Sequence, residues 1–552
     1  MRSATCSRRP RPITRRCLPC SPVAAPTVPA RSALVGDDGA VSDPDPSPRD
    51  AVAGTVPVAV RPALGAGTAA VLTFIASASI LVIEIAASRL VAPFVGNSLT
   101  VYTSIIGIIL AGIALGAWAG GRLSDRVEPV TLLGPTFVLG GLAAIASVPI
   151  VALLGPVLAG TGGDGGLFLS LVAFTLPAAI LAAVAPMLVR ATITDVASSG
   201  TLVGRLSAIG TVGALVGTFL TGFVLLGVVP VRTLIVGTGV LLLLVGVAAQ
   251  LRQGRGNRHA AVAGLALVGL ALGAASTTLA NPCQRESQYY CIAVRPDAGN
   301  PTGRTLVLDD LRHAHVDLAD PADLEFSYVE WFAAATADLV ADDAPLAALH
   351  VGGGGFSFPR YLRAIDPASR HVVLELDPVV LATAREELGF VPDDAIEVVL
   401  GDARRTILDV PADSRRLVVG DAFGGRSVPW HLTTQEFMRE IDRVLAPDGR
   451  YVQNLIDGPA LRFVRAEAAT MRTVFEHVAV VTWDVAFDGS GGGNVVLVAS
   501  HEPFDAAAID VAVRAATAGA HVLAGDEAID AFTAGAPILT DDFAPADQLI
   551  GG

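Results

Sequence analysis

Lysine is absent from the 552 residues, so every one of the 38 basic side chains is arginine. Schiff-base catalysis and a lysine-dependent phosphate loop are excluded on that ground. Charge is scarce as a whole, with 16% charged residues against 52% hydrophobic ones, a balance unlike that of one soluble globular domain. Cysteine is sparse too. Cys6, Cys17 and Cys20 lie in the first twenty residues, and Cys283 and Cys291 follow the apolar region. The pair Cys17-x-x-Cys20 has neither a second pair nor a βαβ context, so neither a zinc site nor a redox motif is expected there. Residues 1–66 lack apolar periodicity and the continuous apolar run of a signal peptide, and read as a disordered Arg/Pro-rich tail.

The charge that is present is unevenly placed. The tail and residues 67–280 each carry 9 Arg and 5 acids, whereas residues 281–552 carry 20 Arg and 42 acids, a net −22. Such an acidic portion argues against nucleic acid as a partner and suits a cationic one. Residues 67–280 hold about seven bilayer-length apolar runs, near 68–92, 99–119, 130–154, 167–189, 207–229, 231–251 and 260–280, which predict a helical transmembrane domain. Gly112, Gly116 and Gly120, and Gly213 with Gly217, would let helix backbones approach closely. Arginine is concentrated in the tail and in the even-numbered loops, which places the N-terminus in the cytoplasm of a bacterial cell membrane and residues 281–552 outside. Glu84, well inside the first run, is expected to be protonated, to face a polar cavity, or to pair with Arg89.

Residues 281–322 read as a β-hairpin preface around the turn Asn300-Pro301-Thr302-Gly303, and residues 323–552 as a Rossmann-like α/β domain. Strands are expected at 346–351, 371–376, 396–400, 416–420 and 450–455, alternating with helices, an order that implies a parallel sheet with its ligand at the strand C-termini. The chemistry sits at those ends. The first strand runs into Gly352-Gly353-Gly354-Gly355, whose bare backbone can pass against a flat or charged ligand. The second delivers Glu375 and Asp377, where an acid can accept both hydroxyls of a ribose. The next two end in Gly401-Asp402-Ala403 and Gly420-Asp421-Ala422-Phe423. The run Gly489–Gly493 reads as a hairpin loop, not a phosphate cradle.

These motifs, with Glu286-Ser287-Gln288-Tyr289-Tyr290, Leu306-Val307-Leu308-Asp309-Asp310, Glu325-Phe326-Ser327-Tyr328 and Leu539–Pro545, resemble the polyamine aminopropyltransferases, or spermidine synthases, and more closely their membrane-fused bacterial relatives. The resemblance implies that Gly352, Gly353, Gly354 and Ala403 bind the nucleoside of decarboxylated S-adenosylmethionine, with Glu375 and Asp377 at its ribose and Asp402 at its adenine amine. It implies that Asp421 accepts a proton from the attacking amine, that Tyr328 lines the amine pocket, and that the protein forms homo-oligomers.

Three departures stand out. Gly355 and Gly424 occupy positions where the family carries acids, and Tyr290, His313 and Val329 replace expected glutamines. The nucleoside half of the site is thus better kept than the amine half. The expected function is aminopropyl transfer to an amine. The alternatives are a transporter or sensor that binds a polyamine or nucleoside without turnover, and a methyltransferase using S-adenosylmethionine itself. His313 and His315 have no further Cys or His nearby, so no metal is expected. Cys283 and Cys291 can pair if they lie outside the cytoplasm, or remain two separate thiols.

Overall fold

The computed structural model describes residues 64–194, 199–253, 258–341 and 344–550. Residues 1–63 of the expected tail, with its three cysteines, lie outside the described residues, and Ala66 already begins the first helix. Among the described residues, seven helices are long and apolar enough to cross a membrane: Ala66–Val95, Leu99–Arg126, Pro129–Val157, Gly162–Thr192, Ser199–Val228, Val231–Leu251 and His259–Ser276. Each covers one of the seven apolar runs. The small-residue stripes are helix contacts. A Cβ on Gly116 would lie 1.9 Å from the Ala179 carbonyl oxygen of the fourth helix, and one on Gly217 would lie 2.5 Å from that of Ala78 in the first. Only glycine permits backbones to pack so closely.

The first, third and fifth inter-helix loops gather at the end of the bundle where residues 279–290 begin the next region. The Gly160 N–H donates to the Phe94 carbonyl at 3.0 Å. The Val231 N–H donates to Glu286 Oε2 at 2.7 Å, and Arg232 donates to the carbonyls of Leu279 and Ala280. An odd number of crossings requires this, and it leaves Arg122, Arg126, Arg190, Arg205 and Arg252 at the opposite end.

The preface is larger than a hairpin. Strands β1 (Arg285–Glu286), β2 (Cys291–Pro296), β3 (Gly303–Leu308) and β4 (Leu311–Asp317) form one antiparallel sheet in sequence order, with Val294 opposite Leu306 in the expected hairpin. Cys283 and Cys291 are joined by a disulfide. Arg89 does not pair with Glu84, which has no hydrogen-bond or ionic partner among the described residues. Arg89 leaves the first helix to donate to the carbonyls of Tyr289 and Ser287, and its Nη1 lies 3.8 Å from the Asp309 carboxylate. Both side chains are buried, 7% and 3% exposed.

The last region is built on an eight-stranded sheet of order β12-β10-β11-β9-β8-β5-β6-β7. Its strands are β5 (Ala347–Val351), β6 (Arg370–Glu375), β7 (Ile396–Leu400), β8 (Arg415–Gly420), β9 (Leu445–Asp457), β10 (His477–Trp483), β11 (Gly493–Ser500) and β12 (Ala520–Ala524). The five from β5 to β9 are parallel, as expected; β10, β11 and β12 are antiparallel, so the sheet is mixed. The alternating strand-helix pattern that signals parallel pairing ends at β9, and the run Gly489–Gly493 lies in the connection between the antiparallel neighbours β10 and β11. Helices Ser327–Val340, Ser357–Ile365, Pro378–Glu387 and Gln435–Val444 cover the sheet. The third starts where Asp377 caps the Val379 N–H and Pro378 supplies a preset φ. Chain order reverses beside β5, with β6 on one side and β8 on the other, so a crevice opens at the C-terminal ends of β5 and β8.

Removing one partner of a buried ion pair strands the other charge at a cost of about 3–5 kcal/mol. Arg89→Met is therefore expected to lower the denaturant midpoint of the detergent-solubilised protein strongly. Arg89→Met combined with Asp309→Leu should recover most of that loss; a single variant as stable as the parent would show that the pair holds nothing together.

Candidate active site

A cavity of about 810 Å³ occupies the crevice, lined by Gly352–Gly355 after β5, Glu375 after β6, Asp402 and Ala403 after β7, and Asp421 after β8. That volume is ample for a nucleoside and a small amine together. The turn after β5 needs its glycines. Gly352 has φ +101°, and a Cβ there would lie 2.5 Å from the Asp421 carbonyl oxygen, so the ends of β5 and β8 meet backbone to backbone. Phe356, which closes the turn, also takes a left-handed φ of +54° and is held by stacking on Phe390 at 4.0 Å.

Glu375 is buried, and its Oε2 accepts the N–H groups of Gly353 and Gly354 at 2.9 and 3.1 Å while Oε1 accepts that of Asp377 at 2.8 Å. Burial raises its pKa, and these three donors oppose the rise. Asp402 accepts the Arg404 N–H at 2.9 Å and lies 3.3 Å from His431 Nε2. Asp377 does not belong with them. It is fully buried away from the cavity, one carboxylate oxygen capping Val379 and the other accepting the Ser287 hydroxyl, so both are spent on the fold. The Glu-x-Asp spacing places two acids near a strand end, but the second begins the next helix and turns inward.

Asp421 is positioned from three elements. The Tyr328 hydroxyl donates to Oδ2 at 3.1 Å and Asn454 Nδ2 to Oδ1 at 2.9 Å, while Asn494 Nδ2 donates to Asn454 Oδ1 at 3.0 Å and fixes the amide's orientation. Burial pushes the Asp421 carboxyl up to about 6 despite these two donors. Asn454 and Asn494 lie in no motif, although the polar pair Gln453-Asn454 inside a buried strand is a usable signal.

Tyr290, His313 and Phe423 form another wall, with ring centroids 6.3–6.4 Å apart and the Tyr290 hydroxyl donating to the Phe423 carbonyl at 2.7 Å. Burial lowers the His313 pKa to about 4, so the ring is neutral, and its Nε2 has no hydrogen-bond partner among the described residues. His315 is separate from it. His315 meets Glu325 at 2.7 Å and Thr305 at 3.2 Å, with Asp297 close enough that the three acid and imidazole donor atoms lie within 4.8 Å. Glu325 is also paired with Arg312.

No family model matches the chain. The polyamine aminopropyltransferase of Vibrio vulnificus (strain CMCP6) is 29% identical over 160 residues, 28% of this chain and 52% of that protein. That of Chromobacterium violaceum is 31% identical over 143 residues, 26% of this chain and 54% of that protein. The chain thus spans about half the length of the curated relatives it matches. A solved structure of a probable spermidine synthase from Corynebacterium glutamicum ATCC 13032 is 30% identical, with 47% of this chain covering 96% of that one at a TM-score of 0.44. Over the matched residues the chain is similar to polyamine aminopropyltransferases.

Where aminopropyltransferases carry an acid after the glycine turn, Gly355 has no space for one, since a Cβ there would lie 2.7 Å from the Ala314 Cβ. Overpacking of this kind costs about 1–3 kcal/mol. Gly355→Asp is accordingly expected to lower stability by that amount, and Ala314→Gly in the same chain to relieve it, both read as unfolding midpoints. A Gly355→Asp protein with parental stability would contradict the tight packing.

Proposed function

We propose that the chain is a membrane-anchored transferase of the spermidine-synthase type, in the family's membrane-fused branch, which moves an aminopropyl group from decarboxylated S-adenosylmethionine to an amine. The observation that carries this reading is Asp421, a carboxylate with a pKa near 6, oriented by Tyr328 and Asn454 at the C-terminal end of β8. Gly352–Gly354, Glu375, Asp402 and Ala403 line the same cavity and support a nucleoside site. Both substrates of this reaction are cations, which suits the acids around the cavity. Asp421 takes a proton from the acceptor's ammonium and frees the nitrogen lone pair. That pair forms the new C–N bond as the C–S bond breaks, and the bonding electrons leave with sulfur, whose positive charge is neutralised. The fit of the residues to the donor is strongest at its nucleoside.

Below its pKa Asp421 is protonated and cannot accept the proton, so kcat is expected to rise with pH through about 6. Asp421→Asn should lower kcat by about 10²–10⁴-fold, as loss of a general base does. Purified protein given decarboxylated S-adenosylmethionine and a panel of diamines provides the measurement, and absence of product in every combination would sink the reading. Methylated product formed from S-adenosylmethionine would point to the methyltransferase alternative.

A second reading, a domain that binds a polyamine or nucleoside without turnover, is favoured by the gathering of the odd-numbered loops beside an oxidised Cys283–Cys291 pair. Together with arginines at the opposite end, this supports a domain outside the cytoplasm, where an S-adenosyl donor is scarce. With Cys6, Cys17 and Cys20 changed to Ser, Cys283 and Cys291 should label in intact cells only after an impermeant reductant. Thiols that are free and label only after lysis would put the domain in the cytoplasm.

A further inference from the structure

The cavity is not enclosed by the α/β domain alone. Asn97, in the loop between the first two membrane helices, lines it beside Tyr289, Tyr290, Asp310 and Phe423. Two close approaches set this loop in place. A Cβ on Gly96, where φ is +80°, would lie 2.9 Å from Asp310 Oδ1, and a Cβ on Gly425, in the loop that follows Asp421, would lie 3.0 Å from the Asn97 carbonyl oxygen. The membrane loop is therefore wedged between the β3–β4 turn and the loop after β8.

Asp310 differs from the other acids in the cavity wall. Glu375 is taken by three backbone donors, Asp421 by Tyr328 and Asn454, Asp402 by the Arg404 N–H, and Glu325 by Arg312 and His315. Among the described residues, no other residue donates a hydrogen bond to Asp310. Its carboxylate is half-buried, and among the described residues the cation acting on it is the exposed Arg426. A partly desolvated carboxylate that accepts no hydrogen bond from another described residue, on a cavity wall, is a ready partner for an ammonium group. The neutral His313, with its free Nε2, lies on the same wall and offers no competing charge.

We propose that Asp310 and Asn97 form the distal anchor for a diamine acceptor: Asp310 pairs with the ammonium that does not react, and Asn97, supplied by the membrane domain, closes the cavity over it. This rests on the transferase reading above and names its acceptor class, an amine with a second cationic end. It also gives the spans a part in the site, since the acceptor end is completed by the loop joining two of them. The arrangement supplies an acid at the amine end, where Gly355 and Gly424 leave two acids out.

The test uses the full-length protein in detergent with Asp310→Asn, Asn97→Leu and the parent. Calorimetry with 1,4-diaminobutane, butylamine and 5′-methylthioadenosine gives Kd values, and turnover gives kcat and KM for the diamine. A hydrogen bond to a charged group accounts for about a tenfold or larger change in affinity. Asp310→Asn is expected to raise Kd and KM for the diamine by at least about that factor, leaving butylamine and the nucleoside within about twofold. Asn97→Leu should raise the diamine values while leaving the nucleoside unchanged. Diamine constants within about twofold of the parent in both variants overturn the proposal, as does a parent that binds no diamine. A parent that binds the diamine without turnover refutes the transferase reading alone, and the Kd shifts still decide the anchor.

Discussion

A guanidinium withdrawn from water at the end of the first membrane helix is the constraint on which the rest of the arrangement turns. An isolated buried charge is prohibitively costly, so Arg89 must be matched, and its partners all come from the preface: the carbonyls of Tyr289 and Ser287 and the carboxylate of Asp309. Burial pushes the Asp309 carboxyl up to about 6 even with Arg89 opposing the rise, so each charge makes the other tolerable. Ser287 in turn donates to Asp377, and the Tyr290 hydroxyl reaches Phe423. A single matched charge thereby ties a membrane helix to the strand ends on both sides of the cavity.

In and beside the cavity the same physics sorts acids by their partners. Glu375, Asp421, Asp377 and Asp310 are partly or wholly removed from water, and what separates them is which donors each receives. Glu375 is bound by backbone N–H groups and holds the glycine turn; Asp421 receives two side-chain donors and keeps a pKa of about 6; Asp377 is consumed by the fold; Asp310 receives no hydrogen bond from another described residue. Net charge alone would treat these groups as equivalent. Their differing hydrogen bonds give them different chemistry.

Much of the architecture was legible in the chain because it rests on periodicity. The seven apolar runs match the seven long helices, and the expected strands from 346 to 455 match β5–β9 to within a few residues at most ends, since both patterns are set by local burial. The antiparallel return through β10, β11 and β12 was not, because strand direction depends on which neighbours pair and not on alternation within a strand. Gly352–Gly354, Glu375, Asp402, Ala403, Tyr328 and Asp421 converge on one cavity as the motifs implied. Asp377 does not; Asn454, Asn494 and Asn97 lie in no motif, and Asp310 lies in Leu306–Asp310, which assigns it no role.

By itself the sequence determined the apolar spans, the positions of the parallel strands and the acids at their ends, because each depends on residues close together in the chain. The tertiary structure decided which acids face a ligand and which are used up by the fold. It also decided that Arg89 would leave Glu84 for Asp309, that Gly355 would have no room for a side chain, and that a membrane loop would wall the site. These outcomes depend on contacts between residues distant in the chain, such as Ser287 with Asp377 and Arg89 with Tyr289, where desolvation and backbone approach are settled only when the whole chain has folded.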